Sequence, residues 1–389
     1  MHQLDAADPL AHYRDLFVES PGVHAYLDGN SLGRPLRSSV TRVGDFMADQ
    51  WGGRLIRGWD EGWMSQAEVI GDDLGRVLLG AAPGQIAIGD STTVLLYKLV
   101  RAAVAARPDR RELVIDRDNF PTDRYILEGI AAECGLTLRW IEPGDVTAER
   151  LPLSEQTAVV VLSQVAYRSG FLADVAGITA AVHDAGALVV WDLCHSVGVI
   201  PTELDAWGVD LAVGCTYKYL NGGPGSPAFL YVAERHHDLL RQPIQGWLGS
   251  ATPFEMGQGY VPAAGIRSFL SGTPPVIGML AMRDMIALLD DVGIDAARAT
   301  SVALTEYALE LVHELLPMVT IASPLDAARR GSHVTIDHPA FPAMMPSLWQ
   351  RGVIPDFRTP TGIRLGLSPL STSFAEVELG VRTIAELLT

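Results

Sequence analysis

Cysteine is scarce in this chain. Only Cys134, Cys194 and Cys215 occur among 389 residues, too few for a disulfide framework, which points to a reducing, cytoplasmic setting. Positive charge is also short. Lys and Arg number 29 against 46 Asp and Glu, a formal net charge of −17. A nucleic-acid partner, which needs clustered Lys and Arg, is therefore not expected. No apolar run approaches the ~18 residues that a membrane helix requires, so no membrane partner is expected either. The opening MHQLDAADPLAHYRDLF lacks a basic region followed by an apolar core, so no secretory leader is expected. Repeats, low-complexity tracts and long linkers are absent too.

What is present describes a folded globular chain. Hydrophobic residues make up 48% and charged residues 19%, without a disorder signature. The length suffices for a large domain plus a smaller one. Short apolar runs at 113–116, 158–163, 187–191, 211–214 and 228–232 read as buried strands. Helix-like segments such as 123–134 and 178–185 alternate with them. This predicts an α/β fold, a mostly parallel sheet with helices on both faces. The run at 228–232 follows a Gly/Pro loop with no room for a helix, so one antiparallel strand is expected there. The flanks differ: a Gly/Pro-rich entry precedes residue 50, a long helical pattern covers 279–315, and strand-like pieces follow at 333–336 and 362–366. The expected division is a large domain at 50–285 and a small α+β domain built from 1–49 and 286–389.

The stretch at 191–225, WDLCHSVGVIPTELDAWGVDLAVGCTYKYLNGGPG, carries the most chemistry. Asp192 and Lys218 each stand just past a strand-like run, where side chains of a parallel sheet point into the ligand crevice. A carboxylate and an amine placed there fit pyridoxal 5′-phosphate (PLP). The lysine would hold the aldehyde as a Schiff base, and the aspartate would keep the pyridine nitrogen protonated. The plainer alternative is a helix-capping Asp192 and a surface Lys218, yet lysine between an apolar strand and a Gly/Pro loop is unusual. A zinc reading of Asp192, Cys194 and His195 fails, because three ligands within four positions of a turn, with no second cluster, are not zinc geometry. A Cys-His nucleophile pair fails as well, because adjacent residues on an extended chain point apart.

Further blocks extend the picture: TYKYLNGGPG, WDLCHS, NFPTDRYIL (119–127), YLDGNSLG (26–33) and RGSHV (330–334). Together and in this order they resemble kynureninase, a family of PLP enzymes that cleave the side chain of kynurenine. The resemblance runs from about residue 26 to about residue 374. It implies a fold type I PLP-dependent architecture, with a mostly parallel seven-stranded large-domain sheet. It also implies hydrolytic Cβ–Cγ cleavage of kynurenine to anthranilate and alanine, within tryptophan catabolism.

The resemblance also assigns residues. DSTTV (90–94) precedes a helical pattern, and by itself it reads equally as an anion-binding helix start or as N-capping by Ser91 or Thr92. In the family this turn holds the cofactor phosphate, at positions matching Thr92 and Thr93. Tyr217 matches a phosphate-binding tyrosine. Phe120 would stack on the pyridine ring, with Asp123 in the same block; alone, NFPTD is as readily a turn opening a helix at Asp123. Ser163 and His195 match other cofactor-pocket positions, and His195 is expected to hydrogen-bond Asp192 and keep it ionised. Arg364 matches the arginine that takes the substrate carboxylate, a role suited to its planar fork, whereas an internal salt bridge is the plain alternative. Asn30 and Ser31 are assigned to the substrate.

Trp59 and Thr273 match positions facing the aryl ring, and Thr273 is assigned to the cofactor as well. Tryptophan and threonine there resemble bacterial enzymes that prefer kynurenine; animal-type enzymes preferring the 3-hydroxy form carry histidine and asparagine. Trp247, in GWLG, matches a tryptophan reaching the cofactor phosphate from the neighbouring subunit, which implies a homodimer. Two positions depart from the family: Ser250 replaces a usual histidine and Ser371 a usual tyrosine. Both exchanges leave space that ring-substituted kynurenines could fill. The competing functions are a hydrolase for 3-hydroxykynurenine or modified kynurenines, a desulfurase-like lyase or aminotransferase, and a silent PLP-binding protein. A desulfurase needs a catalytic cysteine on a mobile loop, and Cys134 follows a helical run.

Overall fold

A computed structural model describes residues 3–388. Near the start lies β1 (Ala25–Leu27). The large sheet then takes β2 (Ile86–Gly89), β3 (Glu112–Asp116), β4 (Thr137–Ile141), β5 (Thr157–Ser163), β6 (Leu188–Asp192), β7 (Leu211–Gly214) and β8 (Ala228–Val232). Their order is β2-β8-β7-β6-β5-β3-β4. Strand β8 runs antiparallel to both its neighbours, and every other pair in this sheet is parallel. This is the expected α/β architecture, and the antiparallel strand falls where the Gly/Pro loop leaves room only for a return.

The central strands are Val, Ile and Leu runs because helices cover both of their faces. Val160, Val189 and Val213 are fully enclosed, and burying a side chain of that size stabilises by ~1.5–3 kcal/mol. The crossover helix Pro121–Cys134 starts on a proline whose fixed φ suits the first turn, and it stops at Gly135 with φ 65°. Ser163, Asp192 and the segment after Gly214 thus all leave the same edge of the sheet, the carboxyl ends of β5, β6 and β7. That edge is where such sheets bind ligands.

The second sheet contains β9 (Thr320–Ile321), β10 (His333–Asp337), β11 (Val353–Arg358) and β12 (Gly362–Gly366), with β1 at its edge, in the order β1-β11-β12-β10-β9. Strand β1 lies parallel to β11. Leu27, Val353 and Ile363 share a core there with Val377 and Val381 of the last helix. Residues before 37 divide between the two cores: Ala25 and Leu27 join the small sheet, while Leu10, Phe17 and Leu36 pack on the large one.

Some elements differ from expectation. The helical pattern at 279–315 is two helices, Leu280–Val292 and Ile294–Leu315, separated by Gly293 at φ 81°. Among the described residues no helix is long and apolar enough to cross a membrane.

Candidate active site

The chain has only two lysines, Lys98 and Lys218. Both are enclosed, in different surroundings. Lys98 Nζ sits 2.5 Å from Asp90 Oδ2 and donates to the Phe269 carbonyl at 3.0 Å. Among the described residues no carboxylate lies at hydrogen-bond distance from Lys218 Nζ, which is 3.2 Å from His195 Nε2 and 3.3 Å from Nδ1. Burial and then the Lys218 charge hold the His195 imidazole well below its usual range, so it is neutral. Lysine 218 is therefore the amine available for chemistry.

It opens onto a cavity of about 120 Å³ lined by Thr92, Thr93, Phe120, Asp123, Asp192 and Lys218, with His195 and Tyr217 also on its wall. Eight of the residues singled out in the sequence meet here. Lys218 Nζ stands 5.8 Å from the Phe120 ring centroid and 5.9 Å from that of Tyr217. Phe120 is itself held edge-on by Tyr167, at 5.4 Å between centroids.

Asp192 Oδ1 accepts the Cys194 N–H at 2.8 Å, and Oδ2 is 3.4 Å from Ser163 Oγ. The expected His195–Asp192 hydrogen bond is not formed. The turn after β6 aims the imidazole at Lys218, while the backbone N–H of Cys194 takes the carboxylate instead. The NFPTD reading is corrected too: the helix opens at Pro121, and Asp123 is a fully enclosed first-turn residue, not a cap. Burial, then the Asp192 charge, raises its carboxyl well above the usual range. Its Oδ2 has no partner among the described residues.

In DSTTV the capping reading holds for the helix Thr92–Ala105. Ser91 is the N-cap, its side chain accepting from Val94 N–H. Thr92 and Thr93 are thus the first helical residues, where backbone N–H groups have no acceptor within the helix and face an anion well. Preceding them, Asp90 adopts φ 44°, a left-handed conformation costly for a side-chain-bearing residue, with Lys98 on its carboxylate.

The Arg364 side chain is 1% exposed. Its Nε bonds Asp356, Nη1 donates to the Tyr167 carbonyl at 2.5 Å, and Nη2 donates to Ser31 Oγ at 3.0 Å. The internal salt bridge is therefore present, and two N–H groups remain unspent. Asn30 is fully enclosed, with both amide atoms unpartnered among the described residues. Sequence reasoning missed Asn119, whose Oδ1 is 3.1 Å from Ser163 Oγ and whose Nδ2 has no partner. It missed Asp356 and Arg358 as well. Only the strand register, which sets Asp356 opposite Arg364, reveals them.

Trp59, Trp247 and Thr273 are not on the wall of the Lys218 cavity. Trp59 meets Trp247 edge-on at 6.1 Å, and Thr273 lines a separate cavity of about 200 Å³ beside Asp90 and Leu248. Ser250 follows the short helix Trp247–Gly249. Ser371 borders a gap of about 10 Å³ near Phe17, Val199 and Tyr219, so the exchange there opens no space toward Lys218. Among the described residues no group of acidic, histidine and cysteine side chains could hold a metal ion.

The donor set suits PLP: an amine facing a cavity, a helix start for a dianion, an aromatic face, and an enclosed carboxylate. The unpartnered Asp123 Oδ2 marks a polar position that a bound ring could satisfy.

Residues 297–384 match the kynureninase C-terminal domain model. Kynureninase of Pseudomonas fluorescens is 40% identical over 99% of this chain and 94% of its own length. That of Deinococcus radiodurans is 41% identical, over 99% and 95%. Among solved structures, a cysteine desulfurase of Escherichia coli superposes with a TM-score of 0.81 at 18% identity, covering 97% of this chain and 98% of that one. That likeness shows the fold. Identity of this extent to full-length relatives shows the lineage: the chain belongs to the kynureninase family of PLP-dependent hydrolases.

Proposed function

We propose that this protein hydrolyses kynurenine to anthranilate and alanine with PLP carried on Lys218. The carrying observation is that Lys218, Asp192, Phe120 and the helix start at Thr92 and Thr93 line one cavity. When bound, PLP supplies an electron sink for charge developed on the amino acid. The chain's residues do the rest. Lys218 would hold the aldehyde, and its free amine would be placed to take the α-proton of the amino acid. Neutral His195, with Nε2 3.2 Å from Nζ, hydrogen-bonds the amine without adding a competing charge. Asp192, with Ser163 and Asp123 beside it, would hold the pyridine nitrogen, Phe120 would pack on the ring, and Thr92 and Thr93 would take the phosphate. Arg364 orients the substrate carboxylate, with Asn30 and Ser31 alongside. Burial pushes the Tyr217 hydroxyl up, so it stays protonated and serves as a donor to the phosphate or to the ketone as water adds.

The active site is completed across a homodimer, with Trp59, Trp247 and Thr273 serving the neighbouring subunit. Supporting this, exposed Ile56, Phe254 and Met256 stand close in sequence to these tryptophans, and apolar surface of this kind marks an interface. The two cores support a division into 50–285 and a small domain from 1–49 and 286–389, with the entry segment leaning on both. The cytoplasm is the proposed location.

The preferred ring is that of kynurenine, with tolerance for substituents. Trp59 and Thr273 offer no histidine or asparagine to a phenolic hydroxyl, and the small Ser250 follows Trp247 closely. Anthranilate fluorescence gives the test. Kynurenine should yield anthranilate and alanine in equal amounts, with a higher kcat/KM than its 3-hydroxy form; a ring-methylated form should also be cleaved. Absence of anthranilate would end the proposal, and preference for the 3-hydroxy form would remove the ring argument.

A further inference from the structure

A second guanidinium stands beside the proposed carboxylate seat. On β11, Asp356 and Arg358 are two residues apart and share a face, and Asp356 lies in register with Arg364 on β12. Arg358 reaches the same partners as Arg364, but loosely. Its Nη2 is 3.5 Å from Ser31 Oγ and its Nε is 3.1 Å from Asp356 Oδ2. Among the described residues no acceptor is aligned on that buried Nε. The Arg358 side chain is 34% exposed against 1% for Arg364, which puts it on the solvent side of the pair with donors to spare.

Asp28, on the loop that carries Ser31, places a second carboxylate near Asp356. Burial, then the Asp356 charge, pushes Asp28 up to about 6, so it is mostly ionised at neutral pH. Arg364 alone would face two carboxylates, and the seat would repel a third. Arg358 cancels that excess. Both guanidiniums also act on His195, which touches Lys218, so the pair lies within the electrostatic reach of the cavity.

We infer that Arg358 is a substrate-binding residue, the guanidinium whose charge allows this seat to accept the α-carboxylate of an amino acid. The inference rests on the PLP amino-acid reading above. Arg364 supplies the fixed fork, locked by Asp356, Tyr167 and Ser31, and Arg358 supplies the charge balance and free N–H groups.

The test is equilibrium titration of the PLP-loaded protein with L-alanine and with L-alaninamide, read by cofactor absorbance. Arg358→Gln should weaken L-alanine binding by about tenfold or more and change L-alaninamide little, because only the acid uses the charge. Adding Asp28→Asn to that variant should restore most of the loss, and Arg358→Lys should fall between. KM for kynurenine should rise while kcat moves by less than about threefold. Unchanged L-alanine affinity, equal losses for acid and amide, or no restoration by Asp28→Asn would overturn the inference. Should Arg358→Gln not fold, Asp28→Asn alone decides: tighter L-alanine binding supports it and unchanged binding refutes it. A wild-type protein that binds L-alanine in this pattern but releases no anthranilate would fail the functional proposal and leave this inference standing.

Discussion

Asp123 and Asp192 enter the same cavity and are held in opposite ways. Asp192 accepts the Cys194 N–H at 2.8 Å, with the Ser163 hydroxyl 3.4 Å away and shared with Asn119. Asp123 is enclosed, has an unpartnered oxygen, and is kept protonated by burial and by the Asp192 charge. Removing the Asp192 charge should therefore cost more than replacing a neutral acid by a near-isosteric amide. At saturating PLP, Asp192→Asn should lower kcat by about a hundredfold or more, the scale of losing a preorganised electrostatic partner. Asp123→Asn should lower it by less than about tenfold. Anthranilate release measures both, and the reverse ranking would contradict these assignments. Asp192 stood out in the sequence because it ends a strand, and Lys218 because a lysine between an apolar run and a Gly/Pro loop is unusual. His195 was misread because a turn after a strand sets direction by backbone dihedrals, which residue spacing does not reveal. Asn119 and Arg358 stayed hidden because each gains meaning from a partner brought close by folding, Ser163 in one case and the Asp356–Arg364 pair in the other.

Elements followed a similar rule. The β5, β6, β7 and β8 runs announced themselves because strands buried on both faces must be continuously apolar. The strands β2 and β4 did not. Both lie at the edges of the sheet, and in TLRWI the final residue alone is deeply buried. The β1–β11 pairing joins residues more than 300 positions apart in parallel register, for which no local pattern exists. The long helical pattern concealed a break at Gly293, where only the left-handed φ of glycine marks the turn. Lys98 contributes at this scale. Its buried ammonium joins Asp90, at the entry to the Thr92 helix, to Phe269, in the segment that leads to Thr273. One side chain thus ties the proposed phosphate turn to the strip assigned to the neighbouring subunit.

At the scale of the whole molecule, the Lys218 cavity lacks part of its expected lining, and that lining lies elsewhere on the same chain. Trp59 and Trp247 meet each other edge-on instead of entering the cavity. The account therefore expects a homodimer. Light scattering at assay concentration should give twice the mass of the 41.8 kDa chain, and Trp247→Ala should weaken PLP affinity by about tenfold, the size of a lost aromatic contact. A fully active monomer, or unchanged PLP affinity in that variant, would contradict the shared site.

The central claim, PLP carried by Lys218, admits a direct measurement because the chain has only one other lysine. The PLP-loaded protein is reduced with borohydride, digested, and mapped by mass for the pyridoxyl group. The account predicts the group on the peptide containing Lys218 and none on the peptide containing Lys98, whose ammonium is engaged by Asp90. A pyridoxyl group on Lys98 alone, on the chain terminus, or on no residue of a protein that takes up no PLP would contradict it.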